Sequence, residues 1–315
     1  MPSSSTPSGE RPVVSIVIPA YDRGPRLPAV LDSVFAQRDC PPFEVLVVDD
    51  ASSDDTPAVI AGYPHAVRLV RHAQNRGVAT ARQSGLAESR GTVIGFHDSD
   101  DFMLPGRIGR LAAHLDAHPE VGAVFSNGIV ERDGVPIGER VVPDDMARRL
   151  DGRRIGIRDV VREGVPMFLQ TALVRRSVLE AVGGVDTTMV RHADLELACR
   201  VVLATPTVFL DVPAFRYQLH GTNQTRDRLK LREGLVAVMR RLRERRPEAL
   251  DLVGARWFRQ REARHLYRIA RARWRAGEPQ PAQRAIREAV ALEPMNVRYR
   301  WWHWRIERSG TACES

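Results

Sequence analysis

Residues 95–105, GFHDSDDFMLP, end an apolar run by placing Asp98, Asp100 and Asp101 inside four consecutive positions. Carboxylates at that spacing repel one another, and a turn rarely needs more than one aspartate to hydrogen-bond its own backbone. A bound cation would convert the repulsion into affinity. A hard divalent ion, Mn2+ or Mg2+, fits these oxygen ligands better than zinc, because no His/Cys set with zinc spacing accompanies them. Ions of the magnesium class use one or two protein carboxylates and fill other positions with substrate phosphates, so the chemistry implied is that of a nucleoside diphosphate conjugate. Three more polar clusters end apolar runs upstream: Pro19-Ala20-Tyr21-Asp22, Asp49-Asp50-Ala51-Ser52, and Arg71-His72 with Asn75-Arg76-Gly77.

The elements that must position these clusters alternate in period. Short β-branched runs at 13–18, 43–48, 67–72 and 92–97 read as strands. Amphipathic stretches at 25–37, 54–63, 78–89 and 105–118 read as helices. Strand–helix repetition at crossover length predicts an α/β fold, a Rossmann-like, mostly parallel sheet with helices on both faces and ligands at the carboxyl ends of the strands. All four clusters then share one rim. After residue 121 the rhythm changes: a hairpin is expected around Asp133-Gly134, the stretch to about residue 165 is loop-like, and helices are expected within 171–184 and at 193–204. The first strand–helix turn lacks G-x-G-x-x-G and the chain lacks a P-loop, which argues against a dinucleotide oxidoreductase and a P-loop NTPase.

Four stretches taken in order, VSIVIPAYDR, VLVVDDASSDDT, NRGVATARQSG and the D-x-D-D of HDSDD, resemble the nucleotide-sugar motifs of family 2 glycosyltransferases with the GT-A fold. The resemblance covers roughly residues 13–220. It implies that Pro19, Ala20 and Tyr21 line the base and ribose pocket, that Asp50 hydrogen-bonds the base, and that Arg82 sits near the diphosphate. Asp98 would approach the ribose, and Asp100 would hold the Mn2+ or Mg2+ that bridges both phosphates. The family carries its catalytic base on a second acidic motif ahead of a helix. RHADLELACR makes that Asp194, with Glu196 and Arg200 supporting, although Ala193 stands where the family usually has glutamate. FRYQLHGTNQT resembles the family's closing segment, which makes His220 a second metal ligand. His97 replaces an apolar residue expected before the D-x-D, and no role attaches to it from sequence.

The activity implied is metal-dependent, inverting hexosyl transfer from a nucleoside diphosphate sugar, a UDP-sugar foremost. The acceptor is left open among small molecule, glycan, lipid and peptide. A sugar-phosphate nucleotidylyltransferase and a nonenzymatic nucleotide-sugar-binding protein are the alternatives. The first is disfavoured because the opening loop is IPAYDRG and no lysine precedes Lys230. Plainer readings also stand: Asp49, Asp50, the Asp98–Asp101 cluster and Asp194 as helix caps, Tyr21 as a surface aromatic, and His220 as a loop histidine.

Three cysteines far apart, Cys40, Cys199 and Cys313, and a leader without an apolar signal core point to a cytoplasmic protein with reduced thiols. The expected organisation is a disordered arm at 1–12, a catalytic domain at 13–225 and a helical extension at 226–315. Residues 226–308 hold 22 arginines and one lysine against 10 acidic residues, a net of +13 in a chain whose total is +8. Two helical patterns around Gly277-Glu278-Pro279 resemble a tetratricopeptide-type pair. Trp301, Trp302 and Trp304 with Arg298, Arg300 and Arg305 read as core packing or a homodimer interface, with peripheral membrane contact or acceptor recognition as the sharper alternative and no nucleic acid expected.

Overall fold

The computed structural model describes residues 12–132, 134–219 and 227–310, without the side chains of 309 and 310. The arm through residue 11, Asp133 and His220 therefore lie outside the described residues. The chain divides into two compact units, Met1–Gly221 and Thr222–Ser315.

The first unit opens with β1 (Val14–Ala20), α1 (Leu27–Phe35), β2 (Phe43–Asp49), α2 (Thr56–Ala61), β3 (Val67–Arg71), α3 (Val78–Glu88) and β4 (Val93–Phe96). The four strands lie side by side in the order β3-β2-β1-β4, all parallel. Every residue of β1 is buried, as its unbroken VSIVIPA run requires of a strand covered on both faces. Ile16 and Ile18 pack with Leu27, Leu31 and Phe35 of α1 in one core. On another face α3 comes so close that a Cβ at Gly85 would meet Val17 Cγ1 at 2.2 Å, so only glycine fits there.

Beyond β4 come β5 (Phe102–Met103), α4 (Arg107–Ala117), β6 (Ala123–Arg132), β7 (Val135–Arg140), α5 (Asp144–Leu150), β8 (Arg154–Ile155), β9 (Ala172–Arg175), α6 (Arg176–Ala181), α7 (Ala193–Ala204) and β10 (Thr207–Leu219). They extend the sheet to β3-β2-β1-β4-β9-β6-β10-β5. β9 runs antiparallel to β4 and β6, while β10 is parallel to β6. The loop-like stretch to residue 165 thus contains α5, β8 and one π-helical turn at Asp159–Glu163. These pieces are too short to show a period. Pro213 interrupts the β6–β10 register on both sides, the bulge that a proline forces on an interior strand.

The second unit is helical throughout its described residues: α8 (Arg228–Arg245), α9 (Glu248–Val253), α10 (Ala255–Arg275), α11 (Pro279–Leu292) and α12 (Val297–Gly310). Asp227 caps α8 by accepting from the amides of Leu229 and Lys230 at 3.2 and 3.0 Å. Gly277, at φ +74°, turns α10 into α11. Ala270, Ala282, Ala285 and Ala289 are small enough to let these helices approach, and Leu266, Ile286, Tyr299 and Ile306 fill the space around them. Buried Glu262 is held by Arg240 and Arg243 at 2.8 and 2.7 Å, so α8 and α10 are also tied by charge.

Candidate active site

The carboxyl ends of β1, β2 and β3 make a rim whose loops are stitched together by aspartates. Asp22 sits in the left-handed region at φ 50° and accepts from the amide of Ser53 at 2.8 Å, while its own amide donates to Ser52 Oγ. Asp49 is fully buried, accepts from the Ser52 amide at 3.0 Å and pairs with Arg71 at 3.1 Å. Asp50 accepts from the amides of Arg76 and Gly77 at 2.9 and 2.7 Å and lies 2.6 Å from His72 Nδ1, whose other nitrogen reaches Ser84 Oγ. Gly77, at φ +84° where a side chain would be strained, lets the chain turn into α3 with its amide on Asp50. The charges of Asp49 and Asp50 are therefore met inside the chain, Asp49 by the Arg71 guanidinium and Asp50 by two amides and His72. Three of the four lone-pair positions on the Asp50 carboxylate face partners inside the chain.

The loop after β4 differs. One carboxylate oxygen from each of Asp98, Asp100 and Asp101 falls within 4.8 Å of the others. Asp98 and Asp100 are half-buried and Asp101 is buried. Two arginines share this cluster. Arg82, buried on α3, donates to Asp98 Oδ1 at 2.6 Å, and Arg23 approaches Asp100 at 3.7 Å. Burial works against the charge of Arg82, but Asp98, Asp194 and Asp100 outweigh it and raise its pKa. That interaction places Asp194, two positions after the left-handed His192 at the start of α7, within the field of the same guanidinium as the Asp98–Asp101 loop.

Asp101 has another job. Its Oδ1 accepts from the Gln218 amide at 2.7 Å, tying the loop to β10, and the Gln170 side chain also acts on the carboxyl. Burial first, then the charges of Asp98 and Asp100, push its pKa well above the ordinary carboxylate range. His97 receives its role here. It is fully buried, its Nε2 reaches the Asp101 carbonyl at 3.2 Å, and its Nδ1 lies 3.3 Å from Arg107. Arg107 also donates to the carbonyls of Phe96 and Ala172 at 3.0 and 3.3 Å. A guanidinium only donates, so Nδ1 accepts and Nε2 carries the proton given to Asp101. Burial, then Arg107, lowers the His97 pKa to about 3, and the ring is neutral.

On α7, Glu196 and Arg200 form a buried bidentate pair at 2.9 and 2.6 Å, and Arg200 continues to the Val182 carbonyl. Glu196 is thereby spent on structure, whereas Asp194 is half-buried and accepts from the Leu195 amide at 3.0 Å. Pro19 and Ala20 are buried at the end of β1, and Tyr21 stands exposed on the rim. The structure therefore brings Asp98, Asp100, Arg82 and Asp194 into one electrostatic neighbourhood, with Asp50 one loop away. Arg23 and Arg107 are not marked in the sequence, because single arginines carry no signal in a chain holding 47 Lys and Arg residues, and His72 meets Asp50 only through the fold.

A family model described as Glycosyl transferase family 2 matches residues 15–183, more than half of the chain. The chain belongs to that family. This glycosyltransferase is 38% identical over 124 residues to the succinoglycan biosynthesis protein ExoO of Rhizobium meliloti, a stretch covering 39% of this chain and 35% of ExoO. It is 24% identical to an uncharacterized glycosyltransferase of Haemophilus influenzae, over 60% of this chain and 62% of that protein. The matches span between about a third and two thirds of these curated relatives. Among solved structures, S. aureus TarS 1–349 in complex with UDP superposes with a TM-score of 0.65 at 18% identity, covering 89% of this chain and 81% of that one. The mannosyltransferase PcManGT of Pyrobaculum calidifontis, in complex with GDP-Man and Mn2+, gives 0.56 at 20% identity, covering 98% and 88%. The fold of this glycosyltransferase is accordingly of the GT-A type, with a helical C-terminal region. No helix among its described residues is long and apolar enough to cross a membrane.

Proposed function

We propose that this glycosyltransferase moves a sugar from a nucleoside diphosphate sugar, a UDP-sugar foremost, to an acceptor nucleophile with inversion at the anomeric carbon. The observation that carries the reading is the carboxylate cluster of Asp98, Asp100 and Asp101 beside Arg82, which donates to Asp98 at 2.6 Å, with the charge of Asp194 acting on the same guanidinium. The solved complexes of TarS with UDP and with UDP-GlcNAc, whose fold this chain shares, favour a nucleotide-sugar donor.

The donor set fits a hard divalent cation. It is all carboxylate oxygen and lies within one ion's reach. Asp100 would hold Mn2+ or Mg2+ here while Asp98 approaches the ribose, His220 would be the second ligand from outside the described residues, and the cation would neutralise charge gathering on the leaving diphosphate. Pro19, Ala20 and Tyr21 border the base and ribose, and Asp50 offers the base its one remaining lone-pair direction. Arg82 orients Asp98 and adds positive charge beside the diphosphate. Asp194, apart from those acids and free of the Glu196–Arg200 pair, accepts the proton of the attacking acceptor group. One displacement, with bond formation opposite the departing diphosphate, gives inversion.

The test pairs Asp100→Asn with Asp194→Asn. Binding of UDP and other nucleoside diphosphates is followed by thermal shift with and without Mn2+, and donor hydrolysis or transfer is followed by release of the diphosphate. Asp100→Asn is expected to lose metal-dependent stabilisation, and Asp194→Asn to keep it while losing turnover. Metal-dependent binding retained by Asp100→Asn, or turnover retained by Asp194→Asn, overturns the assignment.

A further inference from the structure

The helical unit carries a surface that its core does not explain. At 3.6 residues per turn, positions 297, 301, 304 and 308 of α12 fall in a strip roughly 60° wide. Val297, Trp301 and Trp304 are exposed to 78%, 48% and 52%, and Met295, just before the helix, to 84%. The opposite face is the packed one: Tyr299 and Ile306 are buried, and Trp302 lies edge-on to Tyr267 at 6.3 Å. The three tryptophans therefore divide, with Trp302 serving the core while Trp301 and Trp304 point away from it.

Basic residues frame the apolar strip. Arg298 and Arg305 fall on one flank, Arg300 on the other, and Arg308 ends the strip; all are exposed. The Arg305 guanidinium lies over the Trp301 ring at 5.3 Å and that of Arg308 over Trp304 at 4.7 Å, so charge and indole are presented together. The one acidic side chain of the helix, Glu307, is engaged with Arg287 at 2.9 Å and His303 at 3.1 Å. Helices with exposed tryptophan on one strip and arginine beside it lie in the plane of a bilayer interface, indoles at the headgroup level and arginines on anionic headgroups.

We infer that the α12 face of Met295, Val297, Trp301 and Trp304, framed by Arg298, Arg300 and Arg305, docks peripherally on an anionic lipid bilayer. Charge selects this occupant. A second copy of the chain would bring the same arginines against themselves, in a segment whose net charge is already +13 over residues 226–308 from 22 arginines and one lysine against 10 acids. A neutral membrane would gain the indoles but leave the arginines unrewarded. With no helix among the described residues able to span a bilayer, attachment rests on area and charge and is reversible.

The full chain is sedimented with vesicles of phosphatidylglycerol and, separately, of phosphatidylcholine, while tryptophan emission is recorded. The expected result is binding to the first, little to the second, a blue shift on binding, and loss of binding as salt rises. The double variant Trp301→Ala, Trp304→Ala removes exposed rings, so its melting curve should be unchanged while vesicle affinity falls roughly tenfold or more. Arg298→Glu with Arg300→Glu should do the same by charge alone. Soluble glycerol phosphate should not compete, because it offers no interface to the indoles. Absence of binding to phosphatidylglycerol, wild-type affinity in the tryptophan variant, or a dimer in sedimentation velocity that the tryptophan variant dissolves would each overturn the inference.

Discussion

Arg82 NH2 and Asp98 Oδ1 meet at 2.6 Å, joining α3, which crosses β1 closely, to the acidic loop after β4. This contact gives the acidic loop an internal counter-charge. It follows that Arg82→Gln should weaken donor binding and lower kcat/KM by roughly a hundredfold, the scale on which a preorganised donor acts. Arg82→Lys keeps a charge without the planar fork and should recover only part of the loss. Steady-state kinetics with the two variants decide the matter, and equal activity in Arg82→Gln and the parent would remove Arg82 from the site.

Glu196 and Arg200 illustrate a different use of charge. Removing one member of a buried bidentate pair strands the other, so Glu196→Gln or Arg200→Met alone should cost about 3–5 kcal/mol in chemical unfolding. Replacing both with apolar residues of similar volume should restore most of that stability. Turnover should follow stability, since Asp194 is the carboxylate assigned to the chemistry. A double variant that is stable yet inactive would mean that Glu196 touches the reactants.

The brace under the acidic loop can be tested through His97 and Arg107. His97→Phe keeps the volume roughly but deletes the donor to the Asp101 carbonyl, and a buried acceptor left bare costs about 1–3 kcal/mol. Arg107→Met strips donors from His97 and from the Phe96 and Ala172 carbonyls together, so its cost should be the larger. Thermal denaturation of both should order them so, with metal-dependent nucleotide binding weakened in each. His97→Phe with unaltered stability would show the loop to be held from elsewhere.

How much of this could be read beforehand depended on period and range. β1 to β4 and α1 to α3 were legible because each is long enough to display its own spacing, and their order alone sends four polar clusters to one rim. The two-residue strands β5 and β8 and the π-helical turn show no period, and β10 is broken by the Pro213 bulge. Within the site, the Asp98–Asp101 spacing announced itself. What sequence could not give was which aspartates are already paired: Asp49 and Asp50 look as available as Asp100 in one dimension, yet their partners Arg71, His72 and Gly77 arrive from the next strand and loop. His97 stayed without a role for the same reason, because its meaning lies in Arg107, ten residues on and fully buried.

A pH dependence of stability follows from the helical unit. His265 on α10 is buried, its Nδ1 has no hydrogen-bond partner, and burial, then the charges of Arg261, Arg268, Arg232 and Arg264, lower its pKa from 6.5 to about 4. The unfolded chain, with an ordinary histidine, takes up a proton first as the pH falls, so acid favours unfolding. The stability involved is fully present above 6.5 and is lost progressively as the pH drops toward about 4. In His265→Leu its share of this dependence should vanish, leaving a shallower fall in melting temperature over that window, with buried His97, whose pKa is lowered to about 3, accounting for part of what remains. Added salt should shrink the difference between the two proteins by screening the arginines, yet leave part of it, since burial is the larger cause. Parallel curves for wild type and His265→Leu across the window would mean that the imidazole finds solvent or a partner in the folded unit.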